Sequence, residues 1–249
     1  MTRRRLDKEI VERGLAPTRE QAQALIDQGV VKINGIVADK SARQVAANDS
    51  VIIDADTGPR FVSRGGEKLA GALEAFVGLE VSCKVCADVG ASTGGFTDVL
   101  LRNGADKVFA VDVGYGQLDW SLASNERVVV LDRVNARDPN AWVLEPKPSV
   151  VVCDVSFISA SKILPAIVAN SAQAADIVVM VKPQFEVGRD LIERGGVVRD
   201  ESARVAAVDS LVQEGFKLGL VEVARADSVI KGPAGNQETF VWFRKDAAN

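Results

Sequence analysis

The chain has 249 residues, of which 47% are apolar, so it can bury a sizeable core in one large domain or in a large and a small one. Its net charge of −4 provides no general electrostatic attraction to nucleic acid, so any such contact needs a local basic patch. The absence of histidine excludes Ser–His and Cys–His nucleophile pairs and histidine-based zinc sites.

The first 57 residues show the pattern of a small α+β domain. Thr18 and Gln21 form a capping box at the start of a helix, and the apolar alternation of VVKINGIVA around Asn34-Gly35 is typical of a β-hairpin. The composition of ADTGPR, residues 55–60, is that of a linker, and we place the linker at residues 58–63, with a second domain over residues 64–249. The elements predicted for the first domain are helices over residues 6–13 and 19–28, the hairpin, and a strand over residues 50–53.

Beyond the linker, Val- and Ile-rich runs of strand length alternate with helical segments. This alternation predicts an α/β domain whose parallel sheet carries helices on both faces. Ligands of such sheets bind outside the carboxyl ends of the strands, so the residues that follow each strand are the candidates for a site. The predicted strands cover residues 85–89, 108–111, 128–131, 150–153 and 177–181, and the predicted helices cover residues 67–76, 95–103, 159–168 and 201–214.

A glycine-rich turn follows the first of these strands, in DVGASTGGFT (Asp88–Thr97). Its glycines allow a tight turn and a close approach of a ligand to the backbone, but their spacing is not the G-x-G-x-x-G of dinucleotide-binding proteins. Asp112 follows the next strand and suits the two hydroxyls of a ribose, and Asp132 follows the third and can reach an adenine amino group. The alternative interpretation is a tight turn flanked by solvated carboxylates.

The acid at the mouth of this turn indicates which nucleoside ligand fits. Asp88 favours a cationic or amino-bearing ligand, whereas a phosphate-binding loop needs a lysine or free backbone donors with no acid beside them. S-adenosylmethionine, which carries a sulfonium and an α-amino group, therefore fits better than a dinucleotide. The predicted cofactor-binding residues are Asp88, Gly90, Ala91, Ser92, Thr93, Gly94, Gly95, Phe96, Thr97, Asp112, Val113, Asp132 and Asp154.

Opposite charges follow the last two predicted strands. Asp154 follows the fourth strand in VVCDVSFIS, and Lys182 follows the fifth in IVVMVKPQFEVG, so the two side chains are expected side by side at the carboxyl edge. Glu238 precedes an apolar strand near the C-terminus, and Lys68 lies in the first turns of a helix. Taken singly, each of these charges is more often a solvent-facing side chain, but two of them at adjacent strand ends favour a site.

In combination these segments closely resemble the TlyA-type proteins, also called haemolysin A, over essentially the whole chain. RRRLDKEIVERGLAPTREQAQALIDQGVVKINGIV is similar to their S4-type RNA-binding domain. The segments VSRGGEKLAGALEAF, DVGASTGGFTDVLL, DVGYGQLDWSL, CDVSFIS and VKPQFEVGR resemble their FtsJ-like methyltransferase domain. The fold this implies is a Rossmann-like class I methyltransferase domain with a small N-terminal α+β S4-type domain.

The resemblance also implies an activity and the residues that perform it. FtsJ-like ribose methyltransferases use a Lys-Asp-Lys-Glu tetrad, whose members match Lys68, Asp154, Lys182 and Glu238. The implied cofactor is S-adenosylmethionine. The implied substrates are cytidine ribose 2′-hydroxyls of 16S and/or 23S ribosomal RNA, either as RNA or as ribosomal subunits.

A ribose hydroxyl must lose its proton as it attacks a methyl group, and a lysine at its usual pKa of ~10.4 cannot accept that proton at neutral pH. Desolvation and a second cation both lower the pKa of a lysine. Our hypothesis is that Lys182 is the general base and Asp154 orients it, while Lys68 and Glu238 position the ribose. In the alternative, the tetrad only positions the substrate, Lys182 stays charged and water takes the proton.

The predicted RNA-binding surface is a basic patch on the first two helices of the first domain, extended by one residue of the second. Its members are Arg3, Arg4, Arg5, Arg19, Lys32 and Arg64. Such side chains contact phosphates and position the RNA without reading its bases. The alternative is a solvated basic N-terminus that binds no RNA.

Three cysteines, an odd number, are typical of a reducing compartment, so we expect a cytoplasmic protein. Cys83 and Cys86 form a C-x-x-C without the second ligand pair that zinc needs, so no metal is expected. No apolar run reaches the ~20 residues that cross a bilayer, which disfavours a membrane-active haemolysin and any membrane partner. An RNA-binding protein without catalysis and a small-molecule methyltransferase are the competing interpretations of the whole chain.

Overall fold

The computed structural model describes residues 3–27, 29–38, 40–53 and 61–246. The chain divides into two compact units, Met1–Arg60 and Phe61–Asn249. Gln28, where the second helix is predicted to end, and residues 58–60 of the predicted linker lie outside the described residues. The boundaries 1–57, 58–63 and 64–249 therefore stay predictions.

The first unit is a small α+β domain around one apolar cluster. Its helices begin as predicted, and the N–H of Gln21 donates to Thr18 Oγ1 at 3.2 Å, as expected of a helix cap. Asn34 and Gly35 have φ values of +50° and +83°, the conformation of a two-residue hairpin turn. The elements are β1 Arg3–Arg5, α1 Leu6–Glu12, α2 Arg19–Asp27, β2 Val31–Ile33, β3 Ile36–Val37, β4 Gln44–Ala46 and β5 Val51–Ile53.

Two small sheets hold this unit together. The order β3-β2-β5 contains the predicted hairpin and the predicted strand, whereas β1 and β4 form an antiparallel pair that the sequence pattern does not predict. Three consecutive arginines in β1 hide the strand, because their exposed side chains give no apolar alternation. The buried cluster beneath the sheets contains Leu6, Ile10, Ile26, Val31 and Val45.

The second unit contains, among its described residues, a seven-stranded sheet in the order β11-β12-β10-β9-β6-β7-β8. The pairs from β10 to β8 are parallel, and β12 runs antiparallel to both β10 and β11. The strands are β6 Val85–Val89, β7 Lys107–Val111, β8 Val128–Leu131, β9 Val150–Cys153, β10 Asp176–Val181, β11 Leu220–Asp227 and β12 Thr239–Lys245. The predicted strands match β6 to β10 within one residue at each end, whereas β11 was not predicted.

Helices cover both faces of the sheet, and this confirms the predicted fold class. Alternate residues of β10 point to opposite faces, so Ile177 and Val179 join one apolar cluster while Val178 and Met180 join the other. Burial on both faces explains why these strands are continuous apolar runs in the sequence. The helices are α3 Arg64–Ala75, α4 Gly95–Arg102, α5 Trp120–Ala123, α6 Leu164–Asn170, α7 Pro183–Glu186 and α8 Glu201–Lys217, with 3₁₀ turns at Ala160–Lys162 and Arg189–Leu191.

One predicted helix is divided in the structure. The sequence predicts a single helix over residues 159–168, but a 3₁₀ turn at Ala160–Lys162 precedes α6. Pro165 explains the division, because its ring lacks an N–H and clashes with the carbonyl four residues earlier, so it is tolerated only in the first turn of a helix. Among the described residues, no helix is both long and apolar enough to span a lipid bilayer.

Candidate active site

The candidate site lies at the carboxyl edge of the parallel strands, where the turn after β6 meets the segment after β9. The backbone N–H of Asp154 donates to Val89 O at 2.9 Å, which joins the two segments. Gly90 has a φ of +87°, and a Cβ at this position would lie 2.4 Å from Asp154 O. Glycine is therefore required for the turn to approach the end of β9 this closely.

Two lysine–carboxylate pairs lie at this edge. Lys182 Nζ is 2.5 Å from Asp154 Oδ1 and donates to Ser156 Oγ at 2.7 Å. Lys68 pairs with Glu238, and both of these side chains are almost fully buried. Each charge thus has an opposite charge beside it, which is the condition under which buried ions are tolerated.

All four of these charged side chains line one cavity of about 600 Å³. The same cavity is bordered by the glycine-rich turn, including Ala91, Ser92, Thr93, Gly95 and Phe96. Its volume lies within the ~300–1,000 Å³ that is usual for ligand pockets. The fold therefore brings the four predicted catalytic residues and most of the predicted cofactor turn to one space.

A second cavity of about 380 Å³ adjoins the first, since Gly90, Ser92 and Asp154 border both. Asp112 and Val113 line it on the side of β7. Its remaining wall is largely apolar and includes Val134, Ala136, Val155, Ile158 and Ile163. A flat, partly apolar group can be held here with a polar group beside Asp112, as in a nucleoside site.

The family model for FtsJ-like methyltransferases matches residues 61–245. The chain belongs to the FtsJ-like methyltransferase family. It is thus an enzyme of methyl transfer, and a second model, for the S4 domain, matches residues 4–51. The Rossmann-like methyltransferase fold with an N-terminal S4-type domain that the sequence predicts is thereby confirmed.

Several relatives of this FtsJ-like methyltransferase match almost its whole length. The 16S/23S rRNA (cytidine-2′-O)-methyltransferase TlyA of Mycobacterium tuberculosis is 47% identical over 242 residues, which are 97% of this chain and 90% of that protein. Hemolysin A of Brachyspira hyodysenteriae is 40% identical over 96% of this chain and 99% of its own. A solved structure from Streptococcus thermophilus that carries the name hemolysin has a TM-score of 0.75 at 38% identity, covering 99% of this chain and 90% of that one.

In this FtsJ-like methyltransferase, Asp88 lies beneath the glycine-rich turn rather than at its mouth. Its side chain is fully buried and borders neither cavity. Oδ2 accepts a hydrogen bond from Thr97 Oγ1 at 2.7 Å, whereas Oδ1 has no partner among the described residues. Burial raises the pKa of Asp88 to about 7, and the nearby charge of Asp154 adds to the increase. The structure therefore gives Asp88 a position from which it supports the turn from below.

The buried carboxyl predicts a pH-dependent stability of this methyltransferase. With a pKa of about 7 in the fold and 3.8 ordinarily, Asp88 holds a proton in the native state that the unfolded chain releases across this range. The protonated carboxyl therefore contributes its full share to the free energy of unfolding below pH ~4. This free energy falls by up to about 4 kcal/mol as the pH rises to 7. Asp88→Asn is expected to remove this fall. Urea unfolding at pH 5 and pH 8, followed by tryptophan fluorescence, measures it; an equal pH dependence in parent and variant would contradict it.

The two acids predicted to hold a nucleoside are placed differently from each other. Asp112 borders the second cavity, and its two oxygens accept the N–H groups of Ser92 at 2.8 Å and Gly114 at 2.6 Å. Asp132 borders neither cavity, and its Oδ2 accepts from Gly116 N–H at 2.8 Å. Asp112 is thus available to a ligand, and the predicted contact of Asp132 with an adenine stays a prediction.

Two aromatic residues at the cavity were not predicted from the sequence. Phe157 is 92% exposed and has a φ of +66°, which is unusual for a residue with a side chain. Its ring lies 5.4 Å from that of Phe185, and both residues line the first cavity. An exposed ring such as that of Phe157 can pack against an unstacked base. The only signal in the sequence is the position of each phenylalanine three residues after a predicted catalytic residue.

Three of the predicted RNA-binding arginines of the S4-type unit, Arg4, Arg5 and Arg19, are held by acids of the same unit. Asp7 is fully buried, and its carboxylate accepts hydrogen bonds from Arg5 at 3.0 Å and from Arg19 at 2.9 Å. These arginines hold the pKa of Asp7 well below its usual range, the hydrogen bond from Arg5 being the larger effect. Arg4 pairs with Glu12 at 2.5 Å. Asp7, which was not predicted as a site residue, thus fixes two of the predicted basic side chains next to each other.

The cysteines differ in exposure. Cys83 is exposed, whereas Cys86 and Cys153 are buried. Burial raises the pKa of the Cys86 thiol to about 12, so this thiol is unreactive near neutral pH. The part of the chain that the structure describes contains no group of three potential metal-binding side chains.

Proposed function

We propose that this FtsJ-like methyltransferase transfers the methyl group of S-adenosylmethionine to cytidine ribose 2′-hydroxyls of ribosomal RNA. The observation that carries the proposal is the common cavity bordered by Lys68, Asp154, Lys182, Glu238 and the glycine-rich turn. A donor held at the turn and a hydroxyl held among these charges would be adjacent. Holding two reactants in line can supply ~7–11 kcal/mol of the activation barrier.

The residues at the two cavities fit S-adenosylmethionine. Each oxygen of Asp112 accepts one backbone N–H, and a carboxylate oxygen has a second acceptor site, so both remain able to accept a ribose hydroxyl. Val113 and Ile158 border the same cavity and offer apolar surface to an adenine ring. The bound cofactor supplies an electrophilic methyl group on a sulfonium. The predicted roles of Asp88 and Asp132 in cofactor binding are not needed for this fit.

In the proposed reaction, Lys182 is the general base. The hydroxyl would attack the methyl group that the bound cofactor supplies, and its proton would pass to Lys182 Nζ. Ser156 Oγ accepts a hydrogen bond from the amine, and Asp154 Oδ1 lies 2.5 Å from the nitrogen as its ion-pair partner. A neutral amine has a lone pair, which would accept the proton of the hydroxyl. Lys68 and Glu238 would hold the ribose from the other side of the cavity.

The proposed substrate class rests on the first unit and on the activities for which relatives are named. The first unit is an S4-type domain that carries basic side chains, among them Arg5, Arg19 and Lys32. A methyltransferase that acts on small molecules would not need such a domain to bind its substrate. Ion pairs between exposed side chains such as Arg4–Glu12 contribute little stability, so Arg4 can exchange its carboxylate partner for a phosphate. Arg64 borders the catalytic cavity and would contact the RNA near its target ribose. A cytoplasmic location, where ribosomal subunits occur, is part of this proposal.

The direct test compares 2′-O-methylated riboses in 16S and 23S rRNA from cells with and without this chain. We expect one or more cytidine methylations to be lost without it and restored by the purified protein with S-adenosylmethionine. Subunits and naked rRNA are tested separately, since either can be the substrate. Identical methylation maps, together with no transfer to either substrate in vitro, would rule out the proposed function. Binding of RNA with neither binding of S-adenosylhomocysteine nor transfer would favour an RNA-binding protein without catalysis.

A further inference from the structure

Two segments at the carboxyl edge carry the proposed base and its partners. Residues 154–160 follow β9 and include Asp154 and Ser156, and residues 182–187 follow β10 and begin with Lys182. Parallel neighbouring strands deliver these segments side by side, but beyond the strand ends the sheet hydrogen bonds no longer hold them together. The contacts that hold these two segments together beyond the strand ends therefore also determine the position of Lys182 relative to Asp154 and Ser156.

Three successive contacts join the two segments. The first is Lys182 with Asp154 and Ser156, and the second is the pair of rings Phe157 and Phe185. The third is made by Glu186, which borders neither of the two large cavities. The first two contacts involve groups that face the cavity, whereas the third lies outside it.

Glu186 binds the opposite segment with both carboxylate oxygens. Oε2 accepts from Ser159 Oγ at 2.5 Å, and Oε1 accepts from the backbone N–H of Ala160 at 2.8 Å. Ser159 Oγ lies 2.7 Å from Ser161 Oγ, which extends the network by one hydroxyl. Hydrogen bonds to a charged acceptor are stronger than those between neutral groups. The carboxylate of Glu186 therefore links two segments firmly, although Ser159 and Ala160 precede it by 27 and 26 residues in the sequence.

The link is rigidly connected to the proposed base. Glu186 ends α7, which starts immediately after Lys182, and Phe185 N–H donates to Lys182 O at 2.9 Å. On the other segment, the bond from Asp154 N–H to Val89 O fixes one end, and Glu186 fixes the other. Phe157 lies between these two anchors with its positive φ. A strained conformation of this kind persists only where its surroundings determine it.

We propose that Glu186 is a positioning residue that clamps residues 154–160 against the segment carrying Lys182. The clamp keeps Asp154 and Ser156 at hydrogen-bonding distance from the amine and holds Phe157 in its strained conformation. Glu186 itself does not touch the substrate. Its effect on methyl transfer rests on the proposed function, whereas its effect on the order of the segment does not.

Hydrogen exchange tests the clamp without any activity. In Glu186→Ala, the amide of Ala160 loses its acceptor, and exchange across residues 156–161 is expected to accelerate at least about tenfold, with no change in β6 and β9. Glu186→Gln is expected to behave like the parent, because its amide can accept from Ala160 N–H and donate to Ser159 Oγ. Unchanged exchange in Glu186→Ala would overturn the clamp, whether or not the chain methylates RNA.

The kinetic test measures kcat, the KM for ribosomal RNA and the dissociation constant of S-adenosylhomocysteine. We expect Glu186→Ala to lower kcat about 10- to 100-fold, the usual effect of a small misplacement, with both binding constants within about threefold of the parent. Glu186→Gln should keep kcat within about threefold. A kcat equal to the parent's in Glu186→Ala overturns the positioning role, and equal losses in the Ala and Gln variants overturn it in favour of a role for the charge.

Glu214→Ala is the matched control. Glu214 also accepts a hydrogen bond with its carboxylate, from Lys217 Nζ at 2.7 Å, but on an exposed part of α8. The variant should change neither exchange at residues 156–161 nor kcat. If the parent chain transfers no methyl group to ribosomal RNA, the proposed function is wrong, but the clamp is not affected by that result. Hydrogen exchange in Glu186→Ala still decides whether the clamp exists.

Discussion

Lys182→Ala is expected to reduce methyl transfer to ribosomal RNA by about 10²- to 10⁴-fold, the contribution typical of a general base. The amine is 2.5 Å from Asp154 and 2.7 Å from Ser156, so its truncation leaves those two groups without the proton acceptor that they orient. Binding of S-adenosylhomocysteine should stay within about threefold of the parent, because Asp112 and the glycine-rich turn are untouched. Single-turnover methylation with labelled S-adenosylmethionine, together with calorimetry, measures both quantities.

Two further variants separate the base from a purely positional lysine. Lys182→Arg keeps a positive charge but cannot accept a proton, since a guanidinium stays charged at all accessible pH values. We expect it to be as inactive as Lys182→Ala, and near-parent activity would show that charge alone is sufficient. Lys147→Ala is the matched control, because its amine donates to Ala169 O at 2.9 Å, beyond the opposite end of β9. It should retain the parent rate.

Breaking the pair between Lys68 and Glu238 is expected to have the largest effect on stability. Their side chains are 8% and 1% exposed, so Glu238→Ala leaves an almost fully buried ammonium without its counter-charge. Removal of one partner from a buried pair typically costs about 3–5 kcal/mol. Urea unfolding followed by tryptophan fluorescence measures this loss in the second unit, because Trp120, Trp142 and Trp242 all belong to it.

The double variant Lys68→Met with Glu238→Leu tests whether the loss comes from the unpaired charge. It removes both ions, so we expect it to be more stable than Glu238→Ala, although it should be equally inactive. Glu214→Ala, which breaks an exposed pair with Lys217, should cost no more than about 1 kcal/mol. Strictly additive losses in Lys68→Met, Glu238→Leu and the double variant that combines them would mean that the pair contributes nothing as a pair.

The strands that carry the site could be predicted because they are buried on both faces. Ile177–Val181 is a continuous apolar run of strand length, as expected of a strand that is covered on both faces. The edge strand β11 is not predicted, because its sequence LVEVARAD does not show an apolar face that alternates with a polar one. Val221 and Val223 are exposed, whereas the residues between and after them on the other face are charged or small. The division of the helix at Pro165 was also missed, although its cause is visible in the sequence.

The site itself was only partly predictable. Asp154 and Lys182 follow neighbouring strands, so their proximity follows from the parallel sheet. Lys68 and Glu238 are 170 residues apart, and the sequence alone gives no physical reason to pair them, so that expectation came from the resemblance. Ser156, Phe157 and Glu186 depend on the conformation of two short loops, which no periodicity encodes.

The reversed direction of β12 has a consequence for biosynthesis. Because β12 runs antiparallel to its neighbours, it begins at the edge of the sheet where the parallel strands end. Glu238, which precedes β12, therefore lies at the same edge as Lys182, which follows β10. Glu238 also follows the other three charged residues in the sequence, so it is the last of the four to leave the ribosome. A chain that stops before β12 lacks the carboxylate that pairs with Lys68. In the proposed reaction, catalysis would thus begin only after β12 has been synthesised and has joined the sheet.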